Sequence, residues 1–156
     1  MSCSFTIHIQ SLPTMKLLET SILINAPKST VWQVLTDFAR YPHWNPFIVS
    51  IEGHPEVSTH LKNSMLLNGK TQVFTPKVLE VEENRKLVWL GSLWFTGIFD
   101  GRHEFIIEEL EPNQVQLMQR EYFSGILSGL ILRLIGKATL ENFEKMNVAL
   151  KKQAEE

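Results

Sequence analysis

From Lys16 to Asn25 the apolar residues Leu18, Ile22 and Ile24 recur on even positions, with Glu19, Ser21 and Asn25 between them. A period of two marks a strand with one buried face. Ala26-Pro27-Lys28-Ser29 ends the alternation. A proline at that point favours a helix start, because its missing N–H would be unpaired in the first turn anyway. Val31, Val34, Leu35 and Phe38 then follow at helical spacing, and residues 37–44 read as a second short helix punctuated by Pro42 and Pro46. After Asn45-Pro46 the period returns to two, with Phe47, Val49 and Ile51 alternating with Ile48, Ser50 and Glu52. Further strand runs are predicted at 61–67, 73–81, 87–95, 102–110 and 115–123. They are separated by Asn68-Gly69, Glu83-Asn84-Arg85, the stretch 97–101 and Glu111-Pro112-Asn113.

The chain finishes with a helix predicted over about 126–153. Leu127, Leu130, Ile131, Leu134 and Ala138 form one apolar stripe, continued by Leu140, Phe143, Met146 and Leu150, with Gly136 as a candidate kink between them. The order is therefore strand, two short helices, six strands, long helix. Sequential strands with short turns predict an antiparallel meander, and the segregated helices make the class α+β. The expected product is a seven-stranded antiparallel sheet whose inner face is covered by the C-terminal helix, the only element long enough to do so. Residues 1–15 stand apart as an N-terminal extension, and residues 16–156 form the domain.

Composition narrows the function. A single domain is the natural reading of 156 residues, and a chain of this length buries roughly 70% of its unfolded surface. Four Trp, nine Phe and two Tyr supply large rings for a core or a pocket wall. A net charge of -2 gives no basic excess to attract a phosphate backbone, so nucleic acid is not an expected partner. The one cysteine, Cys3, excludes an intrachain disulfide and fits a reducing cytoplasm, the expected location. The first fourteen residues lack a charged leader region and contain Pro13, which argues against a signal peptide. No run reaches the 18 or so apolar residues of a membrane span; the longest candidate, 125–136, contains Arg133. The five histidines (His8, His43, His54, His60 and His103) lack metal-ligand spacing, and neither a phosphate loop nor a G-x-S-x-G elbow is present. No metal and no cofactor are expected.

Two segments carry a resemblance. The first runs through Ile24-Asn25-Ala26-Pro27, Val31-Trp32, Leu35-Thr36-Asp37 and Tyr41-Pro42-His43-Trp44-Asn45-Pro46-Phe47. The second is Lys77-Val78-Leu79-Glu80-Val81-Glu82, a turn, then Lys86-Leu87-Val88-Trp89. Together with the element order they resemble the START-like superfamily of polyketide cyclases, dehydrases and lipid-transport proteins, the helix-grip or Bet v 1-like fold. The resemblance spans 16–153. One departure is Ser58-Thr59-His60, which stands where many relatives carry a glycine turn. The resemblance implies a long C-terminal helix lying across a curved sheet and enclosing a hydrophobic cavity. It also implies one of three roles: carriage of a small apolar or aromatic molecule, cyclase- or dehydratase-type catalysis, or protein binding of the chaperone-activator kind. A homodimer is compatible with all three.

The polar candidates are few. His103 shares a face with Phe105 and Ile107, opposite the more charged Arg102, Glu104 and Glu108, which places it on the inner face. Glu121 lies on the last strand, where neither alternating set is cleanly apolar. If Leu110 pairs with Gln114 around a three-residue loop, His103 falls opposite Glu121. A two-residue turn at Pro112-Asn113 instead sends the two side chains to opposite faces. Facing each other, they form either a structural ion pair or a proton shuttle suited to aldol-type cyclisation. Asn45 either orients a ligand or sets a turn through its side chain, and Trp44 stands beside it. Trp89, Phe95, Phe99, Phe105 and Phe123 are candidate pocket walls or core, and Leu127, Leu130, Ile131 and Leu134 are the candidate helix wall.

Overall fold

The computed structural model of the chain describes residues 15–156. The expectation of an N-terminal extension falls outside those residues, apart from Met15. The first strand, β1 (Lys16–Ile24), is followed by α1 (Lys28–Thr36), a 3-10 turn at Phe38–Arg40 and a single α-turn, α2 (Tyr41–Trp44). Strands β2 (Ile48–Glu52), β3 (Lys62–Leu67), β4 (Lys70–Phe74), β5 (Lys77–Glu82), β6 (Lys86–Leu93), β7 (Phe99–Glu111) and β8 (Gln114–Ser124) lead to the long helix α3 (Ser128–Glu155). The architecture is α+β, as predicted, with eight strands among the described residues rather than seven.

The extra strand has a local cause. The run 73–81 is broken at Thr75-Pro76, between the end of β4 and the start of β5. A proline cannot donate to a ladder and marks an edge or a break. The result is two sheets: a five-stranded one in the order β1-β8-β7-β6-β5, and a three-stranded one in the order β2-β3-β4. The loop 53–61 stitches them together. Ser58 and Leu61 donate their N–H groups to Val78 and Pro76 of the β5 end, and Val78 donates to Thr59. Ser58 takes φ +73, a left-handed conformation that costs a side chain with a Cβ more than it costs glycine.

Each pairing in both sheets is antiparallel, and β5 to β8 form the expected meander, closed by β8 on β1. The β7–β8 hairpin combines both registers open to the sequence. Glu111 pairs with Gln114 around the tight Pro112-Asn113 turn, yet from Glu109–Val115 onward the pairing is the one that sets His103 opposite Glu121. The register shift falls between Glu109 and Glu111, where the intervening Leu110 bulges out and is exposed. A bulge adds one residue to one strand and changes the phase of its side chains.

The core lies between this sheet and α3. Ile24, Val115, Leu117, Phe105 and Ile107 of the sheet are buried together with Phe143, Met146 and Leu150 of α3. The ring of Phe143 packs on Phe47 at 5.9 Å and on His103 at 4.9 Å. Helix α3 runs through Gly136 without interruption, so the candidate kink does not break it. Among the described residues no helix is long and apolar enough to cross a membrane.

Candidate functional site

The inward-facing rows of β6, β7 and β8 are Leu87-Trp89-Gly91, Gly101-His103-Phe105 and Gln119-Glu121-Phe123, set side by side by the register. At the Leu87-Phe105-Gln119 end these rows are buried in the core, and Nε2 of Gln119 donates to Sδ of Met146 on α3. Towards the 94–98 turn they diverge from the helix and leave a cavity of about 340 Å³. Its sheet wall is Trp89, Gly91, Gly101, His103, Glu121 and Phe123. The helix wall is Ile131, Ile135, Ala138, Thr139 and Asn142, and the small sheet contributes Met65, Leu67, Gln72 and Phe74.

The mouth is framed by two backbone connections. Ile126 and Leu127 donate N–H groups to the carbonyls of Gly97 and Ile98, fastening the start of α3 to the β6–β7 turn. Asp100 holds that turn from the other side by accepting the Gly97 N–H at 2.7 Å. Trp94 lines the cavity yet is 66% exposed, so this end opens to solvent.

His103 and Glu121 point into the same space. Nδ1 of His103 lies 3.5 Å from Oε2 of Glu121, with the imidazole almost fully buried and the carboxylate partly exposed. Three rings box the imidazole: Phe105 stacks on it at 4.6 Å, Trp89 lies at 5.5 Å, and Phe143 meets it edge-on at 4.9 Å. Its Nε2 is buried with no hydrogen-bond partner. The rings fix the plane of the imidazole, and the carboxylate is the member of the pair that a guest in the cavity meets first. Such a pair can accept a hydroxyl, hold a proton or return one.

The other sequence candidates divide. Trp89, Phe99, Phe123 and Ile131 line the cavity, and Phe99 stacks on Phe123 at 5.2 Å. Phe105 lies beneath His103, fully buried in the core. Trp44 packs edge-on against Tyr41, away from the cavity. Asn45 is also outside the lining; its side-chain oxygen accepts the N–H groups of Phe47 and Ile48, each at 2.9 Å. It therefore sets the turn between α2 and β2. Leu127 falls outside the lining, and Phe95, Leu130 and Leu134 project into solvent at 76%, 61% and 77% exposure. The helix stripe is displaced by about one position: the wall is built from 131, 135, 138, 139 and 142, and Leu130 and Leu134 look outward.

Residues missed from the sequence include Thr139 and Asn142 and, above all, two glycines. Gly91 and Gly101 pair directly across β6 and β7 and give the sheet wall a bare backbone strip between Trp89–His103 and Leu93–Phe99. For Gly91 the available signal is a lone glycine inside a strand run, which marks a close approach by some other group; Gly101 falls in the stretch that reads as a turn. Among the described residues no group of three or more His, Cys, Asp or Glu side chains could hold a metal ion.

The comparisons with known proteins agree with this geometry. Residues 15–155 match the family described as polyketide cyclase/dehydrase and lipid transport, and the chain belongs to it. Among solved structures, the Zhui aromatase/cyclase from Streptomyces sp. R1128 is 20% identical, with a TM-score of 0.74 over 91% of this chain and 94% of that one. A START superfamily protein from Mycobacterium smegmatis is 23% identical, with a TM-score of 0.69 over 89% and 97%. Norcoclaurine synthase from Thalictrum flavum, solved with dopamine and hydroxybenzaldehyde, is 12% identical, with a TM-score of 0.68 over 97% and 95%. At these identities the likeness shows the fold. No curated protein matches the chain.

Proposed function

We propose that this chain binds or carries a small hydrophobic or aromatic molecule in the cavity between the sheet and α3. The observation that carries the reading is the cavity itself, about 340 Å³ of space walled by Trp89, Phe99, Phe123, Ile131 and Ile135. A volume of that order suits a compact ring system, and mostly apolar walls with a few convergent polar groups are the usual character of a ligand site. The exposed Trp94, Phe95, Ile126, Leu130 and Leu134 sit on the turn and helix end that frame the mouth. That placement fits the passage of an apolar guest.

The test pairs native mass spectrometry of the freshly purified protein with titration of an apolar fluorescent probe. The unaltered chain is expected to carry a small molecule or to bind the probe. Ala138→Trp, which places an indole in the helix wall, is expected to lower probe affinity at least tenfold with little change in thermal stability. Probe binding that survives Ala138→Trp unchanged, with no co-purified molecule, would overturn the cavity as the binding site.

A second reading rests on the 3.5 Å approach of His103 and Glu121 at the cavity wall: catalysis of the cyclase or dehydratase kind. The Glu121 carboxylate would take a proton from a carbon flanked by two carbonyls, and the resulting carbanion would close a C–C bond onto a second carbonyl. The carboxylic acid, steadied by His103, would return the proton to the new oxygen, so charge and atoms balance. Glu121→Gln is expected to lower turnover of a poly-β-carbonyl compound by about 10²–10⁴-fold. Equal rates in both proteins would remove the mechanism while leaving the carrier reading in place.

A further inference from the structure

Gly101 has no side chain where the Glu121 carboxylate lies. A Cβ built on Gly101 would overlap Oε1 of Glu121 and come within 3.3 Å of its Cδ, whereas the next contact, a ring carbon of Phe123 at 3.5 Å, is ordinary packing. The register explains the geometry. Gly101 is opposite Phe123, and Glu121 is the inward position two residues before it on β8, opposite His103. The Glu121 side chain therefore leans diagonally across the ladder, with Oε1 over the Gly101 backbone and Oε2 towards Nδ1 of His103. Gly91 lies opposite Gly101 on β6, but a Cβ there would meet only Pro76, at 3.8 Å. The two glycines are neighbours on one wall and differ in what their missing side chains make room for.

We propose that Gly101 is a positioning residue: its empty Cβ site is the notch that seats the Glu121 carboxylate beside His103. This rests on reading His103 and Glu121 as the polar centre of the cavity. The glycine is not needed for a left-handed turn, since Gly101 is not among the positive-φ glycines. Nor does added volume meet backbone there; the overlapping atom is the end of a flexible side chain. An alanine should therefore leave the sheet intact and displace the carboxylate alone. Nδ1 of His103 then loses the partner that determines which ring nitrogen carries the proton.

The experiment reads the His103 ring directly by long-range ¹H–¹⁵N correlation spectra across a pH series, in the full chain without ligand. Glu121→Ala supplies the reference for an imidazole lacking its carboxylate. Gly101→Ala is expected to move the His103 nitrogen shifts most of the way to that reference, and Gly91→Ala to leave them in place. Gly101→Ala added to Glu121→Ala should change nothing further, because the group it displaces is gone. The proposal is overturned if Gly101→Ala leaves the His103 nitrogens unmoved, or if Gly91→Ala moves them equally. It is also overturned if Gly101→Ala fails to fold in both the unaltered and the Glu121→Ala backgrounds, since the methyl then strains the sheet itself. None of these readouts depends on a guest, so the absence of ligand binding would count against the proposed function and not against the notch.

Discussion

Leu134 and Leu150 are both helical leucines on α3 and look equivalent in the sequence, yet the fold assigns them opposite places. Leu150 is fully buried with Phe143 and Met146 against the sheet, and Leu134 is 77% exposed. Replacing Leu150 by alanine removes the transfer energy of the lost methyl groups and leaves a cavity that the surrounding sheet only partly closes. The expected cost is about 3–4 kcal/mol. A domain of this size has a stability of roughly 7–20 kcal/mol, so the loss is a substantial share of the total. At about 2–4 °C per kcal/mol for a chain of this length, the melting midpoint should fall by about 6–16 °C. Leu134→Ala should stay within about 0.5 kcal/mol of the unaltered protein. Urea unfolding followed by tryptophan fluorescence measures both, and an unchanged slope against denaturant would show that each variant altered stability rather than compactness. Comparable losses from the two substitutions would refute the packing of α3 described above.

Two further substitutions test buried polar groups. Asn45→Ala strips the acceptor shared by the Phe47 and Ile48 N–H groups and should cost about 2–4 kcal/mol through two unpaired buried donors. Probe affinity should stay unchanged, and a selective loss of binding without loss of stability would return Asn45 to the ligand site. Tyr41 donates its hydroxyl to the Leu35 carbonyl at 2.6 Å near the end of α1, where helix carbonyls lack internal partners. Tyr41→Phe should cost about 1–2 kcal/mol. Burial raises the Tyr41 phenol above its ordinary value of 10.0, so above that pH the unfolded chain releases a proton that the folded chain keeps. The contribution is intact below about pH 10 and is lost as pH rises further, by up to about 1.4 kcal/mol per pH unit. Urea midpoints measured from pH 8 to 11 should therefore fall more steeply in the unaltered chain than in Tyr41→Phe, and parallel curves would contradict the assignment.

The order of the elements was legible because period-two and helical spacings are strong in β1, α1, β6 and the end of α3, where side chains meet dense core. What escaped has physical causes. Pro76 divides the run 73–81 into two strands; Thr75-Pro76-Lys77 interrupts the apolar pattern there, but the apolar positions on both sides read as one continuous strand. The phase of β8 depends on the Leu110 bulge, a single-residue event that fits a two-residue turn and a three-residue register at once. His103 was readable as inward because its outer neighbours are charged. Glu121 was not, because its own row contains Gln119 as well as Leu117 and Phe123. The notch at Gly101 was hidden inside a stretch that reads as a turn.

These failures share a location and so a cause. Where α3 rests on packed sheet, the apolar pattern is faithful at Phe143, Met146 and Leu150, which follow helical spacing and are all buried, with Asn147 as a buried polar exception. Along the cavity the same helix turns Thr139 and Asn142 inward and leaves Leu130 and Leu134 outside. On the sheet wall, glycines and a histidine–glutamate pair replace the expected aliphatic residues. A wall facing open space instead of side chains is not required to be uniformly hydrophobic, and it is free to carry polar groups that a packed core would have to pair. Local rules tend to fail at functional sites, where binding rather than packing decides the residue. Most of the cavity lining falls between Gly91 and Asn142, and within that stretch the amphipathic reading loses its phase on β8 and along the first half of α3. That loss of phase, together with the lone glycine of β6, is the trace of the cavity that the sequence carries.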